Sequence, residues 1–147
     1  MPILDRRTNQ LVEDQDTRVS VGIDFPFGRQ PNQDGYFKTT KTTVESVKNN
    51  IRLLLQTELG ERTMQPFLGM NLRQFIFEQI TPDTEFAIQD SIIETFNFWL
   101  PFVNIKDIKV ISNNDYDIGR NEIKISIIFN INKDPNTLES VEVTIGE

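Results

Sequence analysis

The chain of 147 residues contains no cysteine and no histidine. Without cysteine there is no disulfide, no thiolate metal site and no thiol nucleophile. Without histidine the chain lacks the commonest general base, the usual zinc ligand and any Ser-His-Asp triad. No stretch approaches 18 uncharged apolar residues, so no membrane-spanning helix is expected. The first residues, Met1-Pro2-Ile3-Leu4-Asp5-Arg6-Arg7, lack the apolar core of a signal peptide, and synthesis in a reducing cytoplasm is expected. Basic charge is also scarce: 15 Lys and Arg stand against 22 Asp and Glu, for a net charge of −7 and a pI near 4.7. That balance argues against a nucleic-acid partner. Glycine loops that cradle phosphates are absent, and no cofactor, metal or small-molecule substrate is expected.

Carboxylate pairs are the only acid–base chemistry left. The candidates are Glu58 with Glu61 and Asp83 with Glu85. A glycosidase sets two carboxyls about 5–9 Å apart across a cleft, one of them in an apolar pocket. Neither pair has such a context. Asp83 and Glu85 are accounted for by the positive end of a helix macrodipole. The chain is expected not to be an enzyme.

Enough apolar material is present for a core: 37% of residues are hydrophobic, including 11 Phe. The length suits one domain, expected over residues 19–147 and preceded by a flexible arm, 1–18, that is polar, charged and aperiodic. Such an arm is either an idle tail or a segment that orders on a partner. Charge is unevenly spread. Residues 38–73 hold six Lys and Arg against three Glu, whereas residues 83–122 hold eight acids against Lys106, Lys109 and Arg120. Directional packing against protein neighbours and plain solvated faces both fit this.

Val19, Val21 and Ile23 alternate with polar residues, predicting a short N-terminal strand that stops near Pro26. Residues 42–59 predict a helix: Thr42 and Glu45 form a capping box, Val44, Val47, Ile51, Leu54 and Leu55 form one stripe, and Gly60 supplies the stop. A second, short helix is predicted from Asn71 as N-cap, with Leu72, Phe75, Ile76 and Ile80 inward. A third opens at Thr81-Pro82 and ends before Pro101. It carries two apolar rows, Phe86-Ile93-Leu100 and Ile88-Ile92-Phe96-Trp99, which predicts cover on more than one side.

The last third changes to period two. Ile108 and Val110, then Ile123 to Ile131, then Val141, Val143 and Ile145 alternate with polar residues, separated by turns at 113–121 and 132–136. The fold class is α+β: a short N-terminal strand, three helices, then an antiparallel three-strand meander packed on the helices. Asn113, Asp115, Asp117, Gly119 and Glu122 imitate a calcium loop, but the glycine position holds Ile118 and the twelfth holds Lys124, so they read as a hairpin turn.

Two features have binding potential. Glu61 and Arg62 follow a helix end, where Arg62 either meets free carbonyls or pairs with a neighbour. The strand of Val141, Val143 and Ile145 is last in the meander. As a sheet edge it either accepts a strand from another chain or is blunted by Glu139, Glu142 and Glu147.

Gly60-Glu61-Arg62-Thr63-Met64-Gln65-Pro66, with Gly69 and Leu72, resembles the baseplate wedge family of contractile-tailed bacteriophages. These are the gene-twenty-five-like and protein W-like sheath initiators, with TssE as the secretion-system relative. Gly22-Ile23-Asp24-Phe25-Pro26-Phe27, Phe77-Glu78 and Thr81-Pro82 extend the likeness across about residues 20–147. The resemblance implies a structural subunit of the tail baseplate in the virion, assembled in the host cytoplasm. Its implied partners are other wedge subunits, their core bundle and the tail sheath protein, whose first ring it would template by β-strand augmentation. It nominates Glu61, Arg62 and Pro101, beside Val141, Val143 and Ile145, as partner-binding residues. The sequence departs from the family where Phe67-Leu68-Gly69 lacks the usual acidic residue, and where Leu100-Pro101-Phe102 replaces Glu-Pro-Arg. A contact made elsewhere by salt bridges would here be apolar. Two other readings are a lysozyme-like tail enzyme that cleaves peptidoglycan and a TssE-like secretion-system component.

Overall fold

The computed structural model describes residues 14, 18–29, 36–78, 81–115 and 120–146. The chain divides into two compact units, Met1–Ile51 and Arg52–Glu147.

In the first unit, β1 (Gly22–Ile23) pairs antiparallel with β2 (Thr39–Thr40). The strand is shorter than the Val19–Ile23 alternation predicts, and Val19 and Ile23 are exposed. Gly22 lets the strand approach α1 closely: a Cβ would fall 2.6 Å from Ser46 Oγ and 3.0 Å from Thr40 Oγ1, and those hydroxyls would have to turn away. Lys38 Nζ lies 2.7 Å from Asp24 Oδ2, and the Asn49 amide donates to Asp24 at 3.1 Å. Lys38 holds the Asp24 carboxyl below its ordinary range, and Asp24 in turn holds the lysine above its own. Of the expected arm, Asp14 accepts from the Thr43 main-chain N–H at 2.7 Å and from its hydroxyl at 2.8 Å, placing a carboxylate at a helix N-terminus. Residues 1–13 and 15–17 lie outside the described residues.

Helix α1 (Thr43–Gln56) runs from the first unit into the second. Thr42 Oγ1 accepts from the Glu45 N–H at 3.3 Å, the half of the capping box that is seen. The helix stops three residues before the predicted Leu59. Thr57 is the reason. Its N–H still closes a helical bond to Leu53 O at 3.0 Å, shared with its hydroxyl at 2.6 Å, but its carbonyl accepts from Met70 N at 2.8 Å in place of a residue of the next turn, which ends the ladder. Gly60, at φ +85, therefore serves the following turn and not a helix cap, and its N–H donates to Pro66 O at 2.8 Å.

In the second unit Leu72–Phe77 is a single 3₁₀ helix with Leu72 and Ile76 buried. Asn71 makes no side-chain capping bond, contrary to the prediction, and Ile80 lies outside the described residues. Helix α2 (Pro82–Trp99) begins and ends as predicted, with Thr81 Oγ1 accepting from Thr84 N at 3.3 Å and Pro82 in the first turn. Its two apolar rows are covered unequally. Ile88, Ile92 and Phe96 are buried and Trp99 is half-buried, whereas in the other row Leu100 is buried and Phe86 and Ile93 are exposed.

The meander is an antiparallel sheet of β3 (Val103–Asp115), β4 (Arg120–Ile131) and β5 (Asp134–Gly146), in that order. The strands run further than their apolar alternation. The predicted turn at 113–121 is mostly ladder, with Asn113 opposite Glu122 and Asp115 opposite Arg120. Main-chain pairing is indifferent to side-chain polarity, so the pattern marks which face is buried, not where pairing ends. Likewise β5 starts at Asp134, opposite Ile131, after a two-residue turn. A bulge accompanies it, and the buried Asn130 amide donates to Pro135 O at 2.8 Å.

Register places Ile108, Ile127 and Val141 in one cross-strand row and Val110, Ile125 and Val143 in the next. All six are buried on the sheet's core face, with Phe129 and Ile131 at one end and Ile123 and Ile145 at the other. Helix α2 packs by β3, and the 3₁₀ helix packs by β4 and β5.

Candidate interaction surface

A three-strand sheet has two edges, and their main-chain groups can be assigned by ladder parity. Asn132 N donates to Phe102 O at 3.0 Å, so residue 102 faces β4. Counting along β4 from that point, Ile127 turns its N–H and C=O towards β5 and away from Ile108. An independent bond agrees: the Ile108 carbonyl accepts from Gln89 Nε2 of α2 at 3.2 Å. On β5, then, Val141, Val143 and Ile145 bond to β4, and Ser140, Glu142 and Thr144 present their N–H and C=O groups outward.

This assigns the expected β5 residues two separate functions. Val141, Val143 and Ile145 have side chains 1%, 3% and 7% exposed, so they anchor the strand. The residues between them offer the free main chain, and their side chains are exposed. Among the described residues, no hydrogen bond from another element reaches the main chain of Ser140, Glu142 or Thr144. Alternation alone identifies the anchors. It cannot identify the presenting residues, because that requires the parity of the whole ladder.

At its C-terminal end, β5 borders a concavity of about 180 Å³ lined by Thr144, Ile145 and Gly146, by Leu55 of α1, and by Glu58 and Arg73. Glu58 Oε1 lies 3.0 Å from Arg73 Nε, and Glu58 N donates to Glu61 Oε2 at 3.0 Å. The structure thus brings Glu61 to the β5 end through Glu58. The pair itself was not foreseen, since 14 residues of loop and 3₁₀ helix separate its members and leave no periodic signal. Gly69 closes this loop at φ +115, with its Cα so near the chain that a Cβ would fall 2.2 Å from Thr57 O. Arg62 is exposed, and its carbonyl accepts from Gln65 N at 3.1 Å.

Pro101 is elsewhere. It sits exposed in the turn between α2 and β3, beside Phe102. Asn132 ties this turn to the β4–β5 turn through Phe102 O and a side-chain bond with Asn104. Val103 pairs with Ile131, and Gly146 pairs with Glu122. The two candidate contacts therefore occupy opposite ends of the sheet, roughly 30 Å apart at about 3.4 Å per residue.

Neither candidate carboxylate pair is enclosed: Glu61 and Asp83 are exposed and Glu58 and Glu85 half-buried, with Glu58 held by Arg73 and Asp83 and Glu85 in the first turn of α2. No group of three or more acidic side chains that could hold a metal ion occurs among the described residues.

The same fold occurs in solved structures. A Geobacter sulfurreducens crystal structure, provisionally named a tail lysozyme, is similar over 73% of this chain and 93% of its own, with a TM-score of 0.60 and 22% identity. The anti-feeding prophage baseplate contains a chain similar over 83% of this one and 81% of its own, with a TM-score of 0.55 and 23% identity. A chain of the type VI secretion system baseplate complex is similar over 70% and 92%, with a TM-score of 0.53 and 16% identity. No curated protein sequence matches. The family model described as baseplate wedge protein gp25 matches residues 41–136, from the start of α1 through β4 into β5. That span is well over half of the chain and includes the Glu61 loop, and on it the protein belongs to the gp25 baseplate wedge family.

Proposed function

We propose that this baseplate protein is a structural, non-enzymatic wedge subunit that templates the first ring of a contractile tail sheath by β-strand augmentation along β5. One observation carries the reading: the outward main chain of Ser140, Glu142 and Thr144 has no partner among the described residues, on a strand whose alternate side chains are anchored in the core. Main-chain groups paired with a foreign strand provide affinity that tolerates varied side chains, as a polymer's first layer requires. Val141, Val143 and Ile145 keep the template rigid. Glu61, tied to the C-terminal end of β5 through Glu58, and the exposed Arg62 that follows it face one wedge neighbour. At the opposite end Pro101 and Phe102 make an apolar contact with the wedge core bundle.

Proline at position 142 or 144 removes one outward N–H while leaving the β4–β5 bonds intact, and proline is accepted on an edge strand. Particles carrying Glu142→Pro or Thr144→Pro should form baseplates without sheath, seen by electron microscopy, and Glu142→Ala should form normal tails. Full-length sheaths on the proline variants would end the proposal.

The Geobacter structure's provisional name favours a second reading, hydrolysis of peptidoglycan. Purified protein incubated with peptidoglycan is expected to release nothing. Release abolished by Glu61→Gln would establish that reading instead.

A further inference from the structure

On the surface of α2, Phe86, Asp90, Ile93 and Asn97 fall within about 60° of one another at 100° per residue. Phe86 is 64% exposed and Ile93 41%, on a face that flanks the buried row. The stripe is about 16 Å long at 1.5 Å per residue. It forms one bank of a groove of about 670 Å³ lined by Gln89, Ile93 and Asn97 of α2 and by Val103–Ile108 of β3.

Two observations narrow what fits there. First, the β3 side is poorly suited to an added strand. Gln89 already occupies the Ile108 carbonyl, and the register breaks between Ile105 and Asp107. An occupant must therefore dock through side chains, as a helix does. Second, α2 carries Asp83, Glu85, Asp90 and Glu94 and no Lys or Arg. Asp83, Asp90 and Glu94 lie on or beside the stripe on the side away from β3. A second copy of α2 would set carboxylate against carboxylate, so the complementary surface is cationic.

We infer that the Phe86–Asn97 stripe of α2 receives an amphipathic helix of another protein, with an apolar seam flanked by Lys or Arg. Three turns of such a helix match the stripe. This surface is separate from β5, and its failure would leave the sheath-template reading untouched.

The test uses the full chain and two labelled synthetic helices with the same leucine seam, one flanked by Lys and the other by Glu, followed by fluorescence anisotropy. The Lys-flanked peptide should bind roughly tenfold tighter or better, with the preference shrinking as salt is added. Phe86→Ser with Ile93→Asp should abolish that binding at unchanged circular dichroism, since both side chains are exposed. Asp90→Lys with Glu94→Lys should reverse the preference. Equal binding of both peptides, binding of neither, or full binding by the Phe86/Ile93 variant would overturn the inference. So would self-association of the native chain that is lost in that variant, which would make a second copy the occupant.

Discussion

The two edges of the sheet are chemically alike as strands and differ in what their neighbours do to them. On β3, the outward carbonyl of Ile108 is taken by Gln89, the ladder is broken near Lys106, and α2 lies alongside. On β5, Ser140, Glu142 and Thr144 keep their outward groups without a partner among the described residues. Folded proteins guard exposed edges because an open one invites pairing with other chains. β3 is guarded only along its first half, where α2 and the broken ladder lie; beyond it the outward main chain of Val110 and Ser112 is as unpartnered among the described residues as that of β5. The two edges thus differ in extent of cover, and partial cover restricts where a foreign strand can pair.

The largest effect should come from the strand that both edges share. Phe129 is fully buried on β4, and Phe129→Ala should cost about 3–5 kcal/mol in urea unfolding and disable both edges together. A loss below about 1 kcal/mol would mean that the sheet does not depend on this row. Next, Gly69→Ala drives a Cβ into Thr57 O and should cost on the order of 1–3 kcal/mol. Its damage should be local to the loop that sets Glu58 and Glu61 at the end of β5, and hydrogen exchange can locate it. If exchange quickens equally along β3, the two edges are not independent.

Opening the guarded part of β3 is a smaller perturbation. Gln89→Ala leaves the Ile108 carbonyl without its donor, for about 1 kcal/mol of stability, and should raise the tendency to self-associate in light scattering. Gln89→Glu, which cannot donate, should behave in the same way. A monodisperse, fully stable Gln89→Ala variant would show that β3 is closed by something other than this bond.

The smallest effect lies in the first unit and serves as a control. Lys38 lowers the carboxyl of Asp24 from its ordinary range, so the pair's contribution is present above about pH 4 and fades as the pH falls through the lowered value. The raised Lys38 keeps its side of the pair until strongly alkaline pH. Asp24→Asn should flatten the acid limb of a thermal-unfolding profile slightly and leave the sheath formation proposed for β5 unchanged. A loss of sheath in this variant would tie β5 to a unit that the comparison of edges leaves aside.

Much of this was readable from residue order. Thr81-Pro82 and the acids behind them define the start of α2, because capping is a local bond between neighbours three apart. The apolar alternation at 123–131 and 141–145 identifies the buried face of β4 and β5. Helix α1 was read three residues too long, because the bond that ends it joins Thr57 to Met70 across a loop. The Phe86-Ile93-Leu100 row of α2 is expected to be covered, yet only Leu100 is buried and Phe86 and Ile93 stand exposed.

By itself, then, the sequence determined the order and type of the main elements, the inward side chains of the strands, and the absence of cysteine and histidine chemistry. These follow from short-range periodicity and from composition. Only the tertiary structure decided where β3 is guarded, which residues of β5 present their main chain, and that Glu58 and Arg73 meet beside that strand. Each of these depends on which distant segment comes alongside, and hydrogen-bond parity passes from strand to strand only after the sheet has assembled.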